Sequence, residues 1–202
     1  QAHFYGVAVG AHPGYVDREN FGRRVLSLKL GQIFEMVRTQ IESLQSVARE
    51  LEVPLTHVKP HGALYTQAAK NREIADAVVA AIKAVDEKLC LFALAGSELI
   101  IAGQEGGLSV ANEVFVDRTY RADGSLTSRD APGALIEDVA TGVCQAMSIL
   151  CDGVVPTIDG TQVRLNADTI CVHGDGEYAV DYVRELRAAL TRAGFEIKPW
   201  LG

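Results

Sequence analysis

The chain has 202 residues, 48% of them hydrophobic and 22% charged, with a formal net charge of −7. That length and apolar content are enough for the core of one substantial α/β domain, and they exclude a disordered or fibrous chain. The acidic balance argues against nucleic acid or an anionic membrane surface as the main partner, and no apolar run approaches the ~18 residues of a membrane span.

The first strand is expected from Val7, ending in Gly10-Ala11-His12-Pro13-Gly14. A polar loop from Tyr15 to Arg24 follows. From Leu30, apolar residues at Ile33, Phe34, Val37, Ile41, Leu44, Val47, Ala48 and Leu51 step by three and four, the period of an amphipathic helix. Pro54 stops that helix. A short strand then runs into Lys59-Pro60-His61-Gly62: Pro60 keeps Lys59 extended, and Gly62 allows a sharp turn into the next helix.

Asn71 is placed to cap a helix with Ile74, Ala75, Val78, Val79 and Ile82 on its inner side. Leu89 to Ala95 is a continuous apolar run, as in a strand buried on both faces. Gly96-Ser97-Glu98 opens a helix that runs from Leu99 to about Gln104. Asn112 and Glu113 interrupt the next apolar run, so only Val114-Phe115-Val116 is expected as strand. Asp117-Arg118 opens a long polar loop to Asp130. A helix is expected from about Gly133 to Leu150, then an irregular segment from Asp152 to Asp168. Thr169 to Val172 reads as a strand ending in His173-Gly174-Asp175-Gly176-Glu177, before a last helix from Tyr178 to Arg192.

Strands and helices alternate throughout residues 1–202, which predicts one domain with parallel strands and a single rim bearing their carboxyl ends. In such folds the chemistry sits on that rim. His12, Lys59, His61, Glu98, Asp117, Arg118, His173 and Asp175 all fall there. Imidazole titrates near neutrality, so His12, His61 and His173 suit proton transfer. Lys59 suits a carboxylate or phosphate. Asp175 has an ordinary explanation as a helix cap, and Glu98 one as a partner of the helix dipole. Asp117 and Arg118 pair with each other, or belong to a lid or subunit contact. His57 is taken as structural. Three histidines and several acids are also a donor set for zinc or another divalent ion, although no short-range spacing such as H-E-x-x-H occurs.

The blocks G-A-H-P-G, D-R-E-N-F-G-R, H-V-K-P-H-G-A-L-Y, L-A-G-S-E, E-V-F-V-D-R-x-Y-x-x-D-G-S-L, G-A-L-I and C-V-H-G-D-G-E, in this order over essentially the whole chain, resemble the LamB/YcsF family. The resemblance implies a seven-stranded β/α barrel related to carbohydrate deacetylases. It also implies ATP-dependent cleavage of 5-oxoproline to glutamate, as the A subunit beside two other subunits. ATP, brought in with Mg, is the implied cofactor. His12, His61, His173, Asp175 and Glu98 are then catalytic candidates, and Lys59, Asp117 and Arg118 candidates for substrate binding. Family members carry D-L-N-x-D-x-G-E and G-F-H-x-G-D blocks ahead of this point; neither is present, so a trimmed chain lacking the barrel's first strands is expected. The alternatives are a metal-dependent deacetylase or amidohydrolase acting without ATP, and a non-catalytic ligand-binding subunit.

Four cysteines, at 90, 144, 151 and 171, show no C-x-x-C and no framework spacing. Cys90 and Cys171 lie in apolar runs, as free thiols do. The pattern fits a reducing compartment, so the expectation is a cytoplasmic protein. The opening residues Gln1-Ala2-His3-Phe4-Tyr5 lack the pattern of a signal peptide and an initiator Met, so the chain is expected to begin inside a longer one.

Overall fold

Strand β1 (Val9–Ala11), β2 (Leu55–Val58) and β3 (Cys90–Leu94) run parallel, with Gly10 opposite His57 and Val58 opposite Leu91. They come from a computed structural model that describes residues 1–200. The crossovers between these strands are helical. Helix α1 (Leu30–Glu50) joins β1 to β2, and α2 (Gly62–Ala68) with α3 (Arg72–Val85) joins β2 to β3. Helix α4 (Glu98–Glu105) follows β3, and β4 (Val110–Phe115) comes next.

The chain divides into two compact units, Gln1–Ala111 and Asn112–Trp200, with β4 beginning in the first and running on into the second. In the first unit most of the expected amphipathic faces are buried, but Val47 and Leu51, expected on the α1 face, are exposed near the helix end. Ile33, Val37 and Ile41 of α1 pack in one cluster with Val78 and Ile82 of α3 and Leu91 of β3. Each such side chain contributes about 1.5–3 kcal/mol by leaving water. Asn71 caps α3 by accepting from Ile74 N at 3.0 Å, as its position predicts, and Ser97 caps α4.

In the second unit β4 pairs in parallel with β7 (Thr169–Cys171), with Phe115 opposite Cys171. Between them come α5 (Val139–Asp152) and an antiparallel hairpin of β5 (Val154–Pro156) and β6 (Gln162–Arg164). Helix α6 (Ala179–Arg192) follows β7, and its Tyr182 and Leu186 bury with Val116 and Ala146. No helix among the described residues is long and apolar enough to cross a membrane.

The strand order is β1-β2-β3-β4-β7, so the α/β fold has five parallel strands among the described residues, where the expectation is a seven-stranded barrel lacking its first strands. Differences from the expected elements are local. Strand β4 passes through Asn112 and Glu113, expected to break it. Asn112 is held there by Asp168, which accepts from its backbone and side-chain nitrogens at 2.9 and 2.8 Å, and Glu113 pairs with Thr169. Helix α5 starts at Val139 instead of Gly133, because Asp138 caps it by accepting from Thr141 N at 2.8 Å. The segment expected to be irregular holds the β5–β6 hairpin.

Candidate active site

Parallel pairing of β1 with β2 brings the residues after both strands to one edge. Beyond the strands the ladder continues: Lys59 N donates to Ala11 O at 2.9 Å and His61 N to Pro13 O at 2.8 Å. This carries His12 and His61 together, with 3.0 Å between His12 Nε2 and His61 Nδ1 and 4.7 Å between ring centroids. Each ring is held at its other nitrogen by a backbone carbonyl. His12 Nδ1 lies 2.6 Å from Lys59 O, and His61 Nε2 lies 2.7 Å from Phe21 O. A carbonyl only accepts, so both outer nitrogens carry hydrogen. The two inner nitrogens face each other between the rings.

The backbone around the dyad is tightly constrained. Gly62 sits at φ +58°, and a Cβ there would come 2.4 Å from Gly22 O, so only glycine fits the turn after His61. Phe21, which supplies the carbonyl to His61, is itself at φ +54°, an uncommon setting for a residue with a side chain. Gln40 of α1 clamps Gly14, accepting from its N at 3.1 Å and donating to its O at 2.8 Å, and Tyr15 OH donates to Gln67 of α2. Lys59 Nζ lies 5.9 Å from the Tyr65 ring centroid. His57 stacks on Phe92 at 4.3 Å, with planes 15° apart.

In the second unit the same strand-end logic pairs Asp117, beyond β4, with His173, beyond β7. His173 Nδ1 lies 2.9 and 2.8 Å from the two Asp117 oxygens, and His173 N donates to Asp117 Oδ2 at 3.2 Å. The imidazole lies over Phe115 at 5.6 Å. Burial alone would raise the Asp117 pKa. The hydrogen bonds and charge of His173 outweigh it and hold the carboxyl below the usual range. An ionised carboxylate accepts only, so Nδ1 carries hydrogen and Nε2 is left as the basic atom. The His173 side chain is 24% exposed. Gln145 of α5 buttresses the strand end, donating to Phe115 O and Arg118 O at 2.9 Å each. Tyr182 OH donates to Ile136 O at 2.6 Å; burial, then the negative charges of Asp117 and Asp138, push its pKa up to about 12.

The LamB/YcsF family model matches residues 1–202. The chain belongs to the LamB/YcsF family. It is similar to LamB/YcsF relatives named as the A subunit of 5-oxoprolinase. That of Tolumonas auensis is 49% identical over 193 residues, covering 96% of this chain and 77% of the relative. That of Geobacillus thermodenitrificans is 47% identical over 194 residues, covering 96% and 76%. The crystal structure of the lactam utilization protein from Thermus thermophilus matches with a TM-score of 0.89 at 39% identity, over 98% of this chain and 79% of that one.

In this LamB/YcsF chain the structure gathers the sequence candidates into two groups: His12, His61 and Lys59 in the first unit, Asp117 and His173 in the second. The carboxylate on His173 is Asp117, expected among the substrate contacts. Asp175 is exposed in the turn before α6, whose N-cap is Tyr178. Arg118 is 5% exposed and donates to Thr127 O at 2.5 Å, pinning the long loop. Glu98 is the first residue of α4, half-buried behind the Ser97 cap. Among the described residues no three His, Cys, Asp or Glu side chains converge as a metal-holding group. The sequence alone leaves His57 structural, though its place two residues before Lys59 already puts both on one strand face.

Proposed function

We propose that this chain is the A subunit of a multi-subunit, ATP-dependent 5-oxoprolinase that opens 5-oxo-L-proline to L-glutamate. The observation that carries the reading is the Asp117–His173 pair, a partly exposed histidine with its Nδ1 fixed by a carboxylate. The name that the relatives share, for the A subunit of 5-oxoprolinase, supports the substrate. Their designation as one subunit supports work beside others, two in this proposal. Four free thiols favour a reducing, cytoplasmic setting.

A lactam is a resonance-stabilised amide, so water adds to it only after activation. ATP, as its magnesium complex, supplies that activation by taking the carbonyl oxygen as phosphoryl acceptor. His173 Nε2 then removes a proton from the water that adds to the former carbonyl carbon. The same nitrogen returns the proton to the ring nitrogen as the carbon–nitrogen bond breaks. A second water releases phosphate from the resulting acyl phosphate, leaving the γ-carboxylate of glutamate. Asp117 keeps Nδ1 protonated throughout and stabilises the imidazolium.

The test is His173→Asn in the assembled enzyme, followed by glutamate formed from 5-oxoproline with ATP. Removing a general acid–base group costs about 10²–10⁴ in rate. A variant that folds as wild type and turns over at wild-type rate refutes the assignment.

A further inference from the structure

We propose that His57 reads the substrate: its Nε2 accepts the lactam N–H while the neighbouring Lys59 takes the ring's carboxylate. The inference rests on the 5-oxoproline reading above and adds to it a residue that discriminates between ligands.

The neighbours accommodate the tautomer that this role needs. Thr56 Oγ1 lies 3.3 Å from Val9 O and 2.8 Å from His57 Nδ1. With its hydrogen on Val9 O the hydroxyl accepts from Nδ1, and in that tautomer Nε2 carries the lone pair. Among the described residues Nε2 has no hydrogen-bond partner. The ring is immobilised between two strands. Phe92 of β3 stacks on it at 4.3 Å, and it occupies the space that a Cβ on Gly10 of β1 would fill, 2.2 Å from Nε2. Burial, then the positive charge of Lys59, lower the imidazole's pKa, which keeps the lone pair available at neutral pH. An acceptor and a cation therefore stand two residues apart, His57 in β2 and Lys59 just past its end, about 7 Å along the extended chain.

5-Oxoproline presents the complementary pair. Its N–H and its carboxylate are carried by adjacent ring atoms, so one ligand satisfies both residues at once. A neutral histidine beside the lysine also selects against a ring atom bearing a lone pair, which would face Nε2 directly.

The discriminating probe is the lactone analogue, 5-oxotetrahydrofuran-2-carboxylate, in which a ring oxygen replaces the N–H. Affinities for lactam and lactone are measured by titration calorimetry on the assembled enzyme, wild type and His57→Gln. Wild type should prefer the lactam by about tenfold or more, and glutamine, whose amide can turn to donate or accept, should narrow the ratio to within about threefold. Equal affinity of wild type for the two ligands overturns the inference and leaves 5-oxoproline binding intact. So does a His57→Gln protein with unchanged melting temperature and an unchanged ratio. If neither ligand binds wild type, the 5-oxoproline reading falls and this inference falls with it.

Discussion

Placing alanine at Gly10 tests the packing on which His57 depends. Gly10 lies in β1 outside the left-handed region, so its backbone accepts a side chain, and alanine in a strand gains about 0.5–1 kcal/mol over glycine. The new Cβ would, however, lie 2.2, 2.3 and 2.6 Å from Nε2, Cδ2 and Cε1 of His57. The ring cannot step aside, because Phe92 stacks on it and Thr56 holds Nδ1. Overpacking of this kind costs about 1–3 kcal/mol, so Gly10→Ala should destabilise the wild-type background. In a His57→Ala background the clash is gone, and the same substitution should be neutral or stabilising by about 0.5–1 kcal/mol. Urea denaturation of the four proteins gives the coupling, expected at about 1–3 kcal/mol because the strand gain cancels. Equal destabilisation in both backgrounds, with coupling below about 0.5 kcal/mol, would show that the ring does not rest on Gly10.

Asp117→Asn removes the charge that fixes His173 and should lower stability at pH 7 by about 1–2 kcal/mol. Because the folded-state pKa of Asp117 is depressed, that contribution is present above its unfolded pKa and fades as pH falls through the folded value. The gap between wild type and variant, followed by thermal melts, should therefore close at acid pH; a gap unchanged across that window would contradict the pairing. Arg118→Met leaves the buried Thr127 carbonyl without its Arg118 donor, with Ala134 O keeping the bond from Thr119 N, and should cost about 1–3 kcal/mol, while KM for 5-oxoproline stays unchanged in the surviving fold. A raised KM with normal stability would return Arg118 to substrate binding. Gly62→Ala should cost about 1–3 kcal/mol, through its positive φ and the approach to Gly22 O, and calorimetric melting checks it.

Periodicity makes the long elements legible in the sequence. The apolar steps of Ile33, Val37 and Ile41 mark the face that α1 buries, and Asn71 and Ser97 cap the helices they precede. Elements held by tertiary contacts are harder to read. Nothing local makes Asn112 and Glu113 a strand; Asp168, 56 residues away, holds Asn112 in the ladder. The hairpin of β5 and β6 has three-residue strands, too short for an alternation to register.

The site divides along the same line between local and distant causes. Strand ends followed by histidine are visible in sequence, so His12, His61 and His173 could be named from it. Which carboxylate meets which histidine depends on strand pairing. Parallel registration of Phe115 with Cys171 sets the positions two residues beyond each strand side by side, and those are Asp117 and His173. Asp175, nearer in sequence, lies in an exposed turn leading to α6. The same reasoning applies in β2. Gly10 opposite His57 is a register fact, and only with that register does a glycine in β1 become the reason why a histidine in β2 can lie flat between two strands with its lone pair uncommitted.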